Sequence, residues 1–322
     1  MALRVPQDTS PATVKYRYRV KNWPEYDRAL VNRGSLTVWF DADSLQKDWS
    51  PAPSGQRGKP MKYSWIAIQT ALTLKGVFRL PYRATEGLLR SLMRLTGVDL
   101  PVPDHSYLSR RAVGLDVAIP RRARIAPMHV VVDSTGVKVY GEGEWKVRQH
   151  GVSKRRTWRK IHLAVDASVN DIVAVEVTTA NVGDSEVFEG LMEQIDDPIE
   201  QVSGDGAYDT QGVHAAIMAR EANATIPPRE GAIRWGNAHP RDRIVEAIDT
   251  QGRATWKTTS GYHRRSLAET MMYRFKQLGD RLFSRTFERQ VVEVHVRVAI
   301  LNVFAYLGLP LSVKSGIIPS VA

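Results

Sequence analysis

Residues Gly261–Lys276 read GYHRRSLAETMMYRFK. Wound as a helix at about 100° per residue, Tyr262, Arg265, Glu269 and Lys276 fall within an arc of roughly 60°. Leu267, Met271, Phe275 and Leu278 fall on the opposite side. One face is suited to a core. The other sets a single carboxylate among three groups able to contact phosphate. An ordinary amphipathic helix with a polar stripe has the same periodicity, so the choice rests on carboxylates elsewhere in the chain.

The chain has 322 residues, 43% of them hydrophobic, which suits a globular protein of two domains or of one large domain with an appendage. No apolar run approaches the length of a membrane span, and the first residues lack the apolar centre of a signal peptide. Cysteine is absent, which excludes disulfides and thiolate metal sites and leads us to expect a cytoplasmic location. Lysine and arginine number 45 against 34 acidic residues, a net charge of +11. That excess favours a polyanion, nucleic acid before a membrane surface.

Four regions are expected. Residues 1–60 comprise a leader, a short helix from Trp23 to Leu30, an alternating strand SLTVWF at Ser35–Phe40 and a Pro/Gly/Ser-rich linker. Residues 61–125 hold helices starting after Ser64, at Tyr82 and at Asp104. The last carries Arg110 and Arg111, and the helix-turn-helix-like order makes this a candidate DNA-binding region, with a plain helical bundle as the alternative. Residues 126–310 carry three strands that could pair antiparallel (His129–Asp133, Ile161–Asp166, Ile172–Val177). A helix capped by Asp184 follows, then a strand at Glu200–Ser203, a helix at Thr210–Ala222 and a strand at Ala224–Ile226. A polar, irregular insertion at about 229–260 precedes the Glu269 helix and a final apolar helix from Thr286 to Leu307. Residues 311–322 form a tail. The fold class is α/β: a mixed sheet flanked by helices, with a helical N-terminal region.

Asp133 and Asp205 each close an expected strand and are followed by small residues, with Gly204 and Gly206 flanking Asp205. Either alone reads equally as a cap or turn residue. Together with Glu269 they make three hard oxygen donors, suited to Mg²⁺ or Mn²⁺ rather than zinc. Three carboxylates can hold two such ions about 4 Å apart, one activating a water or 3′-hydroxyl and the other stabilising the departing oxygen of a phosphodiester.

The motifs HVVVDSTG, SGDGAYD and GYHRRSLAETMMYRFK, with YGEGEWKVR, IPPRE, LNVFAYLGLP, NWPEYDRALVNRGSLTVWF and VPDHSYLSRR, resemble a DDE transposase of the insertion-sequence-four superfamily, insertion-sequence-five branch. The resemblance covers nearly the whole chain. It implies a ribonuclease-H-like catalytic fold and a two-ion site at Asp133, Asp205 and Glu269. It also implies cleavage and joining of double-stranded DNA at element ends and into a target, by a homodimer on DNA. Tyr262, Arg265 and Lys276 would contact phosphates beside the cut. An inactive DNA-binding descendant and a ribonuclease-H-like nuclease without strand transfer are the alternatives. Asp166 reads as turn chemistry, Asp184 and Asp209 as helix starts, and His162 as structural. Trp235 and Trp256 could stack on an unpaired base or pack the insertion.

Overall fold

The computed structural model describes residues 16–52, 55, 57, 60–124, 126–139 and 157–317. YGEGEWKVR, most of the leader and the first half of SKRRTWRK lie outside the described residues.

The N-terminal part begins with β1 (Tyr16–Val20), which pairs antiparallel with the last strand of the chain. Helices α1 (Trp23–Asn32), α2 (Leu36–Trp39), α3 (Ala42–Asp48), α4 (Trp65–Val77), α5 (Tyr82–Thr96) and α6 (His105–Arg111) follow. SLTVWF is therefore a helical turn, not a strand. A strand would send the adjacent Trp39 and Phe40 to opposite faces, whereas both are buried in one helical core and the Trp39 indole N–H donates to the Arg33 carbonyl at 2.8 Å. Asn22 does not cap α1 with its side chain; it donates to the Leu309 carbonyl and accepts from the Leu311 N–H, joining the two ends of the chain. Ser64 caps α4 as expected, accepting from the Ala67 N–H, and Asp104, expected as the first residue of its helix, instead caps α6 by accepting from the Tyr107 N–H.

The sheet is built from β2 (Met128–Val139), β3 (Trp158–Asp166) and β4 (Ile172–Thr179), joined through α7 (Phe188–Glu193) to β5 (Ile199–Ser203). A 3₁₀ turn at Gly206–Tyr208, α8 (Gln211–Ala219) and β6 (Asn223–Thr225) follow, and a short sixth strand, Arg281–Leu282, pairs parallel with the far end of β2. Strand order is β4-β3-β2-β5-β6, with the first three antiparallel and the last three parallel. With helices on both faces this is the ribonuclease-H-like arrangement expected. Asp133 does not end its strand, since β2 runs on to Val139. Asp184 does not start α7: it is paired with Lys160 at 2.9 Å, and the helix begins at Phe188.

The segment expected to be irregular folds into α9 (Pro240–Gln251) and α10 (Arg253–Thr259). In α9, Ile244, Val245 and Ile248 carry a helical spacing among polar residues and Val245 is buried, while a buried ion pair anchors the helix. Arg241 Nε and Nη2 donate to the two carboxylate oxygens of Asp209, both at 2.7 Å, and Arg241 also stacks over Trp235. Asp209 is thus an ion-pair partner, while Thr210 caps α8.

Beyond a 3₁₀ turn at Tyr262–Arg265 lie α11 (Ser266–Gln277), β7 (Arg281–Leu282), α12 (Phe287–Leu307) and β8 (Ser312–Ile317), the partner of β1. The ends of the leader and tail are therefore a two-stranded sheet, a pairing too distant in sequence to read locally. α12 is long and apolar enough to cross a membrane by length and composition, which the sequence reading did not anticipate, but 61% of its apolar window is buried. Val292, Val296 and Ile300 enter the N-terminal helical core, and Val294, Val298 and Leu301 enter the core beneath the sheet. Burial between two cores accounts for its apolarity.

Side chains of both Arg241 and Asp209 are 3% exposed. Replacing one member of such a pair strands the other's charge, at a cost of about 3–5 kcal/mol. Arg241→Met is expected to lose that much stability in urea unfolding. A loss under about 1 kcal/mol would count against Arg241 as the anchor of α9.

Candidate active site

β2 and β5 run parallel with Val131 opposite Ser203. Asp133 and Asp205 each lie two residues beyond this last pair of the ladder, near enough for the charge of Asp205 to act on Asp133. Asp205 is extended, with φ −82° and ψ 179°, and its Oδ1 accepts from the Ala207 N–H at 2.8 Å. It is at once a cap, as one reading of the sequence had it, and a neighbour of Asp133. Gly204 serves this turn in a way the sequence did not disclose. A Cβ there would lie 2.9 Å from Tyr208 Cδ2 and 3.1 Å from Val132 Cγ2, so only glycine lets the Tyr208 ring close under the strand end.

Glu269 arrives from α11. Ala268, Met271, Met272 and Phe275 bury that helix against Ile161, Leu163 and Val177 of the sheet. Asp133 shares the strand parity of Val131 and so faces α11. Tyr262 and Arg265 belong to the 3₁₀ turn and not to the helix proper, because Gly261, at φ 75°, redirects the chain after α10. Arg265 joins the acids: Nη1 donates to Asp133 Oδ2 at 3.0 Å, and Nη2 donates to Glu269 Oε1. Its guanidinium lies 6.0 Å from the Tyr262 ring centroid.

The electrostatics follow from this convergence. Burial raises the Asp133 carboxyl above its ordinary value, and the charges of Asp205 and Glu269 add to the rise against the pull of Ser134 and Arg265. Burial also raises the Tyr208 hydroxyl, helped by Asp184, Asp133 and Asp205, and among the described residues that hydroxyl has no hydrogen-bond partner. On the opposite face of β2, Asp184 gathers Lys160 at 2.9 Å and His162 Nδ1 at 3.3 Å. Burial works against its charge, yet hydrogen bonds from His162, Ser134 and Lys160 prevail and hold it below the usual carboxylate range. Lys160 and Tyr208 are neighbours of the site that the sequence does not single out, and Asp184, expected as a helix start, is a third. The strand parity shared by Lys160, His162 and Ser134's facing position was the available signal. His162 is buried and donates or accepts with Thr178 at 3.0 Å, a structural role as expected. Asp166 accepts from the Ser168 N–H and pairs with Arg124, which is turn chemistry.

Other expected contacts are not at the cluster. Lys276 is exposed near the end of α11. On α6, Arg110 is exposed and Arg111 stacks over Trp65 at 4.2 Å. Trp256 is buried beside Tyr262, and Trp235 packs on Arg241 and His239. Packing is the role the structure gives both tryptophans.

The donors suit a hard divalent ion, since all three are carboxylates. Yet among the described residues no three acids stand close enough to share one, and the Arg265 guanidinium supplies positive charge between two of them.

The family described as transposase DDE domain matches residues 125–303, and a second family of the same description matches residues 31–142. The chain belongs to the DDE transposase family. Two solved structures are more distantly similar. One is a simian T-cell lymphotropic virus intasome in complex with PP2A regulatory subunit B56 gamma: 14% identity, 70% of this chain, 66% of that chain, TM-score 0.27. The chain thus spans just under two thirds of the length of that one. The other is a piggyBac transposase synaptic complex with hairpin DNA: 10% identity, 90% of this chain, 77% of that chain, TM-score 0.35.

Because the folded-state value of Asp133 lies above its ordinary one, its contribution to stability is present in acid and is lost as pH rises through the folded value. Asp133→Asn cannot ionise. It is expected to melt at a higher temperature than wild type at pH 7, with the gap closing below about pH 3.9. A variant melting lower than wild type at pH 7 would show that the Arg265 bond outweighs the burial of the charge.

Proposed function

We propose that this transposase binds the ends of an insertion element and carries out metal-dependent strand cleavage and strand transfer, as a member of the insertion-sequence-four superfamily, insertion-sequence-five branch. The observation that carries the proposal is the meeting of Asp133, from the middle of the sheet, with Glu269, from a helix more than a hundred residues later, through one arginine, beside Asp205.

In this reading Asp133, Asp205 and Glu269 would hold Mg²⁺ or Mn²⁺. When bound, such ions activate the attacking oxygen and stabilise the leaving one. Asp133 is the fixed member, 15% exposed, and Glu269 the accessible one, 54% exposed. Arg265 has a planar fork suited to a phosphate, Lys276 a mobile point charge, and Tyr262 a hydroxyl. Contacts of this kind position DNA without reading bases. Arg110, exposed on α6, would add backbone contact to the element end; Arg111 would do so only by leaving Trp65. The partner is double-stranded DNA, element end and target, engaged by a homodimer in the cytoplasm.

Asp205→Asn is expected to lower Mg²⁺-dependent cleavage of labelled element ends on the order of 10²–10³-fold, with end binding by gel shift retained. Cleavage near the wild-type rate would remove Asp205 from the ligand set. Supplying target DNA in the same assay separates strand transfer from simple nuclease products.

Arg265→Ala is expected to reduce cleavage about 10- to 100-fold, the equivalent of one charge-assisted hydrogen bond, and by a similar factor on two different end sequences. The fold is expected to survive, since Met271 and Phe275 anchor α11. A folded variant with full activity, or one with altered end preference, would end the phosphate-clamp role.

A further inference from the structure

A cavity of about 600 Å³ lies where the N-terminal helices meet α11 and α12. Its wall is partly apolar, with Leu72, Leu278 and Val292, and carries the rings of Tyr82 and Phe283. Phe283 is 56% exposed. Around these rings stand Lys75, Arg79, Lys276 and Arg289.

The charge in this cavity is not balanced from within. Glu293 is fully engaged: it accepts from Arg297 Nη2 at 2.7 Å and from the backbone N–H groups of Phe283 and Ser284. Asp280 is paired with Arg281. Arg289 Nε donates to the neutral Ser109 carbonyl. Lys75 is half-buried with its ammonium 5.0 Å from the Tyr82 ring centroid, and burial lowers its pKa, the attraction of Glu293 notwithstanding. Among the described residues Lys75, Arg79 and Lys276 have no acidic partner within ion-pair distance. A lysine half-withdrawn from water without a counter-ion is costly, and an incoming anion relieves that cost.

We propose that this cavity is a binding site for one unpaired nucleotide of a DNA strand, its phosphate held by Lys75, Arg79 and Lys276 and its base against Tyr82 and Phe283. A bare phosphate would leave most of the volume and both rings unused. A duplex cannot enter a cavity of this size, whereas a single nucleotide falls in the usual range for such sites. Position supports the assignment: Lys276 is seven residues beyond Glu269 on α11, about 10 Å along the axis, so an occupant would sit within a few nucleotides of the carboxylates. The inference rests on the proposed DNA-cleaving function.

The test is fluorescence anisotropy with a labelled single-stranded oligonucleotide and with a duplex of the same sequence, alongside calorimetry with a deoxynucleoside monophosphate. Wild type is compared with Lys75→Met and Tyr82→Leu after thermal melting has verified the fold, with the exposed Arg79→Gln as a substitute if either fails to fold. Each variant is expected to bind single strands about tenfold more weakly and duplex within twofold of wild type. Lys75→Met is also expected to reduce the salt slope for single strands by about one. Unchanged single-strand affinity in the variants, or an equal loss on duplex, overturns the site while leaving the DNA reading intact. Wild type that binds neither form of DNA overturns that reading itself. A monophosphate that binds as tightly as the strand, and loses affinity in Lys75→Met, overturns the strand as source and makes the ligand a free nucleotide.

Discussion

The charges of Asp205 and Glu269 both act against that of Asp133, and the fold must offset that repulsion. Arg265 does so with one planar group, reaching Asp133 across the sheet and Glu269 one helical turn away. The pairing with Glu269 alone would be an exposed contact between residues four apart, worth a few tenths of a kcal/mol. What gives the arrangement consequence is Asp133, which is held inside the protein on a strand with neighbours on both sides and cannot move to solvent. The guanidinium therefore ties a mobile helix carboxylate to a fixed strand carboxylate.

Each element around this contact has a packing reason to be where it is. Parallel pairing of β2 with β5 brings two aspartates within reach of each other's charge, and strand parity then decides which face each acid addresses. Asp133 turns toward α11, while Ser134 turns to the other face, where Asp184, Lys160 and His162 form a second, neutralised set. α11 is seated by Met271 and Phe275, and α12 behind it belongs to both the sheet core and the N-terminal helical core. The N-terminal helices are consequently not a detachable module: their core is completed by side chains from near the C-terminus.

The sequence disclosed those features whose signals are local. The caps at Ser64 and Asp104, the alternation of Ile161, Leu163 and Val165, and the apolar face of α11 are all short-range patterns, and all are present. Ser35–Phe40 misled because its alternation is satisfied equally by one helical turn that buries Trp39 and Phe40 together. α9 is hard to read because its short apolar stripe, Ile244, Val245 and Ile248, is set among polar residues, and its anchor joins Arg241 to Asp209, thirty-two residues away. The β1–β8 pairing joins opposite ends of the chain and leaves no local trace. At the site, motif and residue type single out Asp133, Asp205 and Glu269, and the structure ties Asp133 to Glu269 through Arg265. That role of Arg265 was not legible, because a helical projection puts it on a stripe with Glu269 without revealing that Asp133 stands opposite.

That double engagement bears on how the proposed reaction would be set up. Arg265 commits two of its five N–H donors to the two carboxylates, so a phosphate would meet the remaining three unless it displaces one of the acids. If DNA takes the guanidinium, Asp133 and Glu269 lose their shared positive charge and a cation becomes the natural replacement. If a cation enters first, Arg265 is released toward the backbone of the DNA. Either order exchanges one positive charge for another around the same buried aspartate. The exposed glutamate, on a longer side chain at the first turn of α11, is the member able to adjust its position. The fixed aspartate and the adjustable glutamate are thus complementary, and the difference between them follows from one residing on a central strand and the other on a helix that rests on the sheet.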